Sequence, residues 1–134
     1  MSDLKTFKKV MERYLKARIP FISVRSSERA RVLDVMKELA QKINIPIYVH
    51  TLSQGLRDLV NNRTVNEDRS VVGALDYMSQ QMGQRQNLTF VMTEVSNLEE
   101  DSPTSRHFYD VSMLAAETGG SVIVITNNSV WGTL

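Results

Sequence analysis

Residues 20–29 read Pro-Phe-Ile-Ser-Val-Arg-Ser-Ser-Glu-Arg, and this stretch decides the fold class. Its apolar part predicts a buried strand over Phe21–Val24, which passes into a helix with no glycine between them. A mononucleotide-binding α/β domain needs glycines at this junction, so that backbone N–H groups can surround the phosphates, and a lysine that reaches the terminal ones. Neither is present here. The sequence therefore predicts an α/β domain without a P-loop, whose role is not nucleotide hydrolysis.

Helical and strand patterns alternate on both sides of this junction. Before it, apolar residues predict an amphipathic helix from Leu4 to Arg18, with Phe7 and Tyr14 on the buried stripe. After it, a helix capped by Ser26 or Ser27 is predicted to bury Ala30, Leu33, Met36, Ala40 and Ile43. The remaining predicted elements are strands over Pro46–Leu52, Leu88–Val95 and Ser121–Thr126, and helices from Ser70 to Gly83 and from Ser102-Pro103 to Gly119-Gly120.

The segment between the second strand and Ser70 has the weakest pattern. Residues 54–60 favour one or two helical turns that carry Leu56, Leu59 and Val60. Residues 61–69 are polar and rich in turn formers, so they predict an exposed, mobile loop.

Strands too apolar to have a wet face, alternating with helices, predict a doubly wound α/β fold. We expect a mainly parallel sheet of about four strands with helices on both faces, similar to P-loop NTPases but without the P-loop. The 134 residues, 42% of them hydrophobic, fit one domain over residues 1–134. Trp131 follows the last strand outside any predicted helix, so we expect the chain to be the N-terminal fragment of a longer protein.

Composition limits the class of protein. The sequence has no cysteine, which excludes disulfides and thiolate metal sites and favours a reducing, cytoplasmic location. It has neither a signal peptide nor an apolar run of the roughly 20 residues that a membrane span needs, so no membrane association is expected. His50 and His107 belong to no spaced motif, and the run Glu99-Glu100-Asp101 lacks EF-hand spacing, so we predict no metal site.

Charge is distributed unevenly. Residues 1–42 carry 11 Lys/Arg against 5 Asp/Glu, whereas residues 43–134 carry 5 Arg against 10 Asp/Glu. The first helix predicts a basic interaction surface that suits an acidic protein or, as an alternative, nucleic-acid phosphates. Because its aromatic residues fall on the apolar stripe, base stacking is the less favoured use. The surface consists of Lys5, Lys8, Lys9, Arg13 and Lys16.

Four segments resemble the N-terminal domain of AAA-type ATPases related to a chloroplast-encoded reading frame. Ala74-Leu75-Asp76-Tyr77-Met78 is the most telling of them. In that family a degenerate copy of the nucleotide-binding fold, without a P-loop, precedes an authentic ATPase domain. The resemblance covers nearly the whole chain, but it lies in packing and connection segments and not in a catalytic motif. The other three are residues 15–22, Ser27-Glu28-Arg29-Ala30 and Leu52-Ser53-Gln54-Gly55-Leu56-Arg57.

The resemblance implies roles for two strand ends. Phe90-Val91-Met92-Thr93-Glu94 falls where a Walker B strand would end in two acids, but Thr93 replaces the first. Glu94 alone is a weak candidate for a catalytic base, and a solvated carboxylate is the alternative. Asn127 falls at the place of a sensor asparagine, although Asn127-Asn128-Ser129 is equally a good turn.

An anion could still bind without a P-loop. The amino end of the second helix offers free N–H groups, the hydroxyls of Ser26 and Ser27, and the cations Arg25 and Arg29. In an open parallel sheet, ligands bind outside the carboxyl ends of the strands, so Thr51, Glu94 and Asn127 would lie at the same edge.

Three functions follow as hypotheses. The first is a non-catalytic domain of an AAA-type ATPase, which contacts a protein partner or a downstream ATPase domain. It needs no cofactor itself, while a longer parent protein would use ATP and magnesium and could form a homo-oligomer. The second is weak nucleotide binding or hydrolysis through the Ser26–Arg29 helix start and Glu94. The third is nucleic-acid binding through the first helix.

Overall fold

One mixed sheet of six strands organises the structure, a computed structural model that describes residues 2–26, 28–94 and 102–126. The strand order is β1-β6-β5-β2-β3-β4. The pairs β1–β6, β6–β5 and β5–β2 are parallel, whereas β2–β3 and β3–β4 are antiparallel. The strands are β1 (Phe21–Arg25), β2 (Ile47–Thr51), β3 (Gly55–Asp58), β4 (Thr64–Asn66), β5 (Thr89–Met92) and β6 (Ser121–Thr126).

Helices cover both faces of the sheet. Along β6, Ile123 and Ile125 belong to the core that packs against the first two helices, while Val122 and Val124 belong to the core under the other two. Successive strand residues point to opposite faces, so this alternation places one pair of helices on each side. No helix in the described ranges is long and apolar enough to cross a membrane. The helices are α1 (Ser2–Ala17), α2 (Arg29–Lys42), α3 (Val71–Met82) and α4 (Pro103–Thr118).

The predicted α/β class is confirmed, and all four predicted strands are present, but the sheet has six strands and not about four. Residues 55–58 form β3 instead of helical turns, and residues 64–66 form β4 instead of a loop. Gly55 adopts a φ of +75°, and Asp58 Oδ1 accepts hydrogen bonds from Val60 N and Asn61 N in the turn between the two strands. β3 pairs with the open edge of β2 and β4 pairs with β3, both antiparallel, so the sheet departs from a simple doubly wound arrangement.

Local capping signals are confirmed for α3 and α4 but not for α2. Ser70 accepts a hydrogen bond from Gly73 N, and Ser102 forms a capping box with Ser105. The predicted cap of α2 is wrong with respect to Ser26, because Glu28 occupies the N-cap position and the Ser26 hydroxyl accepts from Glu28 N instead. The following residues lie outside the described part of the chain: Ser27, Val95, the acidic run 99–101, Asn127 and Trp131.

Two predicted helix faces are wrong in part. In α2, Val32, Val35 and Leu39 are buried with Met36 and Ala40, whereas Ala30 is exposed. This helix contacts α1 as well as the sheet, so its apolar stripe is wider and rotated relative to the prediction. In α1, Met11 and Leu15 are buried, but Tyr14 is 41% exposed and is not a core residue.

Candidate functional site

The carboxyl ends of the four parallel strands meet at one edge of the sheet, which we call the carboxyl rim. Backbone hydrogen bonds extend the pairing past the strand ends: Ser26 N donates to Thr126 O at 2.8 Å and Thr93 N donates to His50 O at 3.3 Å. The carboxyl rim therefore carries the side chains that follow or end the four parallel strands, and the strand pairing fixes their positions relative to one another. They are Arg25, Ser26, Thr51, Thr93, Glu94 and Thr126.

Glu94 has two partners at the rim. Its Oε1 accepts a hydrogen bond from Leu52 N at 3.1 Å and lies 3.9 Å from Arg29 Nη1. The same guanidinium nitrogen donates to Thr93 O at 3.3 Å. The side chain of Glu94 is only 33% exposed. This carboxylate therefore fixes the turn after β2 and balances the charge of Arg29.

Thr93 stands where a Walker B strand would carry its first acid. Its side chain is buried, and Oγ1 donates to His50 O at 2.9 Å. The hydroxyl thus holds β5 to β2. A neutral group in this position supplies no negative charge for a magnesium ion.

The predicted anion site has less free positive charge than the sequence implied. Arg29 is paired with Glu94, and the N-cap residue Glu28 places its carboxylate 3.4 Å from Arg31 Nη1. A carboxylate at a helix amino end matches the positive end of the helix dipole, so it competes with an external anion. Arg25 is exposed at the rim and Ser26 Oγ accepts from Glu28 N. Anion binding by these residues stays a prediction.

The predicted basic surface on α1 divides into paired and unpaired cations. Lys8 Nζ lies 2.7 Å from Glu38 Oε2 on α2, and Glu12 bridges Lys16 at 2.8 Å and Lys42 at 3.0 Å. Hydrogen bonds from Lys16 and then Lys42 lower the pKa of Glu12 to about 2. These contacts join α1 to α2 at two places.

The remaining cations of α1 form an exposed row. Lys5, Lys9 and Arg13 are spaced four residues apart, so they lie along one side of the helix. None of them makes an ion pair with the described residues. We call Lys5, Lys9 and Arg13 the basic stripe.

A comparison with protein-family models finds the SpoVK-like AAA ATPase N-terminal domain, matched over residues 7–131. The chain belongs to this family. It is therefore a domain of the kind that accompanies an AAA ATPase, as the sequence resemblance predicted. No curated protein and no solved structure gives a significant match.

His50 was considered from the sequence only as a metal ligand, and its burial in this SpoVK-like N-terminal domain was not predicted. Its side chain is 1% exposed, and its Nε2 has no hydrogen-bond partner among the described residues. Burial lowers the pKa of His50, against hydrogen bonds to the backbone of Asp68 and Arg69 that raise it. The one available signal was its place inside the apolar strand Ile47–Thr51, where a histidine faces a core.

Proposed function

We propose that this chain is a non-catalytic interaction domain of an AAA-type ATPase, which positions or regulates the ATPase domain through protein contacts. The observation that carries the proposal is the junction between β1 and α2. Only residues 26–28 separate strand from helix, and none of them is glycine. The junction has no glycine loop that could surround a phosphate group. The β-carbon atoms of its residues keep a phosphate from close approach to the backbone N–H groups.

The arrangement of the carboxyl rim supports the same proposal. Hydrolysis needs a base that faces a polarised phosphate and a metal ligand beside it. Glu94 instead contacts Arg29 and Leu52 N, and the hydroxyl of Thr93 donates a hydrogen bond to the backbone carbonyl of His50. ATP and magnesium therefore belong to the ATPase domain of the longer parent protein in this proposal, and the cytoplasm is its location.

The basic stripe is the surface that we assign to the partner. Three exposed cations in one row attract an acidic protein surface, and the ion pairs between α1 and α2 keep the row in a fixed orientation. We propose an acidic face of the ATPase domain, in the same subunit or in a neighbouring one, as the partner.

Calorimetric titration with ATP and ADP, with and without magnesium, tests the non-catalytic role. We expect no heat of binding and no thermal shift. A ligand present at a hundred times its Kd would stabilise the fold by about 2.7 kcal/mol, which a thermal-shift scan detects easily. Micromolar binding that weakens in Arg25→Ala or Arg29→Ala, with turnover lost in Glu94→Gln, would replace the proposal with the nucleotide-binding alternative.

Titration with the isolated ATPase domain of a family member tests the interaction role. Reversal of the stripe by Lys5→Glu, Lys9→Glu and Arg13→Glu should weaken binding and remove its salt dependence. The matched comparison is Lys9→Glu alone against Lys37→Glu, because each reverses one charge and Lys37 is an exposed lysine of α2 outside the stripe. Equal binding by the two variants would refute the assignment of this surface.

Nucleic acid is a second candidate partner for the basic stripe. The observation in its favour is Tyr14, whose aromatic ring is exposed on the same helix as the stripe. An electrophoretic shift of a single-stranded oligonucleotide, weakened by salt and by the triple charge reversal, would support this candidate.

A further inference from the structure

A polar cavity of about 550 Å³ opens beside the antiparallel part of the sheet, away from the basic stripe. Its size lies within the roughly 300–1,000 Å³ that small-molecule sites occupy. The side chains that matter for its chemistry are Ser53, Gln54, Arg57, Thr64, Glu67 and Arg69.

The fold builds this cavity with two irregular features of β3 and β4. The pairing shifts between Leu56 and Arg57, so that Arg57 stands opposite Thr64 at a bulge. Gly55 lets the two strands approach closely, since a Cβ atom there would lie 2.5 Å from Asn66 O. Bulges redirect side chains, and here Arg57 and Thr64 both line the cavity.

Positive charge exceeds negative charge in the lining of the cavity, which contains two arginines and one carboxylate. The Arg57 guanidinium donates to Asn62 Oδ1, but its buried Nε has no hydrogen-bond partner in the described part of the chain. Arg69 is exposed and pairs with no carboxylate of the described residues. Glu67 is the carboxylate among the lining residues. Two arginine side chains and one carboxylate line the cavity, so it is suited to a ligand that brings acceptor oxygens and negative charge.

We propose that this cavity is an anion-binding site for a small polar ligand that carries a phosphate or carboxylate group. Arg57 and Arg69 hold the anion from two sides, and the hydroxyls of Ser53 and Thr64 complete its hydrogen bonds. Glu67 selects ligands that also carry a hydrogen-bond donor. This proposal does not depend on the basic stripe or on any contact with an ATPase domain, so the following experiment tests the anion site alone.

The test is a titration of the ¹⁵N-labelled chain with sodium phosphate and, separately, with succinate, at constant ionic strength. We expect saturable shifts of the Arg57, Thr64 and Arg69 amides with at least one of the two probes. Saturation by only one of them identifies the anionic group of the natural ligand. Glu67→Gln should tighten binding of either simple anion, because it removes a repelling charge.

Variants of two nearby arginines make the result specific. Arg69→Ala should weaken binding at least about tenfold, because hydrogen bonds to charged groups are among the strong ones. Arg63→Ala is the matched control, since Arg63 is exposed in the same hairpin but does not line the cavity. Arg57→Lys keeps the charge and removes the planar guanidinium, so it should also weaken binding. Shifts that rise linearly with concentration, or that are equal in the Arg69→Ala and Arg63→Ala variants, would mean an adventitious ion only and would overturn the proposal.

Discussion

Arg29 Nη1 lies 3.9 Å from Glu94 Oε1, so the first residue of α2 is paired with the acid that follows β5. The pair spans the carboxyl rim between two elements that are distant in sequence. In an ATPase a corresponding acid would face a phosphate, whereas here it faces a protein cation and a backbone N–H. Both contacts of Glu94 at the rim are therefore with groups of the protein itself.

The first prediction separates the two partners of Glu94. Both side chains of the ion pair are partly exposed, so Glu94→Gln should cost less than about 1 kcal/mol of unfolding free energy. Glu94→Ala should cost about 0.5–1.5 kcal/mol more, because Leu52 N then loses its acceptor. Urea unfolding of both variants measures the difference. An equal loss of unfolding free energy in the two variants would mean that the ion pair with Arg29, and not the hydrogen bond from Leu52 N, stabilises the fold.

The second prediction concerns the buried face of α2. Leu39 is fully buried, so Leu39→Ala should destabilise the domain by about 2–5 kcal/mol. Leu33→Ala is the control, because Leu33 is only partly buried on the same helix. Chemical denaturation should give a clearly smaller loss for Leu33. A larger loss of stability for Leu33→Ala than for Leu39→Ala would mean that α2 buries the face predicted from the sequence.

The third prediction is a dependence of stability on acid pH through Glu12. Lys16 and Lys42 hold the folded pKa of Glu12 at about 2, below its ordinary value of 4.5. The unfolded state therefore binds this proton first as the pH falls. The stabilisation is fully present above pH 4.5 and is lost as the pH drops toward 2. Glu12→Gln should flatten the pH profile of the urea midpoint in that range, and added salt should reduce the difference from wild type.

The fourth prediction concerns His50 at milder pH. Because burial lowers its folded pKa below 6.5, the unfolded state binds the proton first, and stability should fall as the pH drops through 6.5. Glu12 and Asp68 titrate at lower pH, so they do not contribute in this window. His50→Gln should remove the slope of stability between about pH 7.5 and pH 5. A slope that survives in His50→Gln would contradict the assignment.

Strong local signals made much of the fold predictable. The four parallel strands are short apolar runs, and Ser70 and the Ser102-Pro103 pair mark helix starts through their own hydrogen bonds. Such features depend on a few neighbouring residues. They could therefore be predicted from the sequence without knowledge of the tertiary structure.

Other features depend on contacts that sequence patterns do not contain. Thr64–Asn66 is a strand because β3 pairs with it, and its three residues have no pattern of their own. The anion site was predicted from Arg29 and Ser26 by proximity in sequence, but the partner of Arg29 is 65 positions away. The cavity around Arg57 likewise requires a bulge that only strand pairing creates.

The place of β6 in the sheet has a consequence for how the chain is made. In the described structure β1 pairs with β6, where Phe21 lies opposite Val122, so the first strand has no neighbouring strand until residues 121–126 have been synthesised. A nascent chain thus holds an apolar strand, β1, that has no strand to pair with. Because such distant pairing is slow, we expect closure of the sheet by β6 to be the late step of folding. Chains that stop before residue 121 should then expose the same apolar surface and become targets of chaperones or proteases.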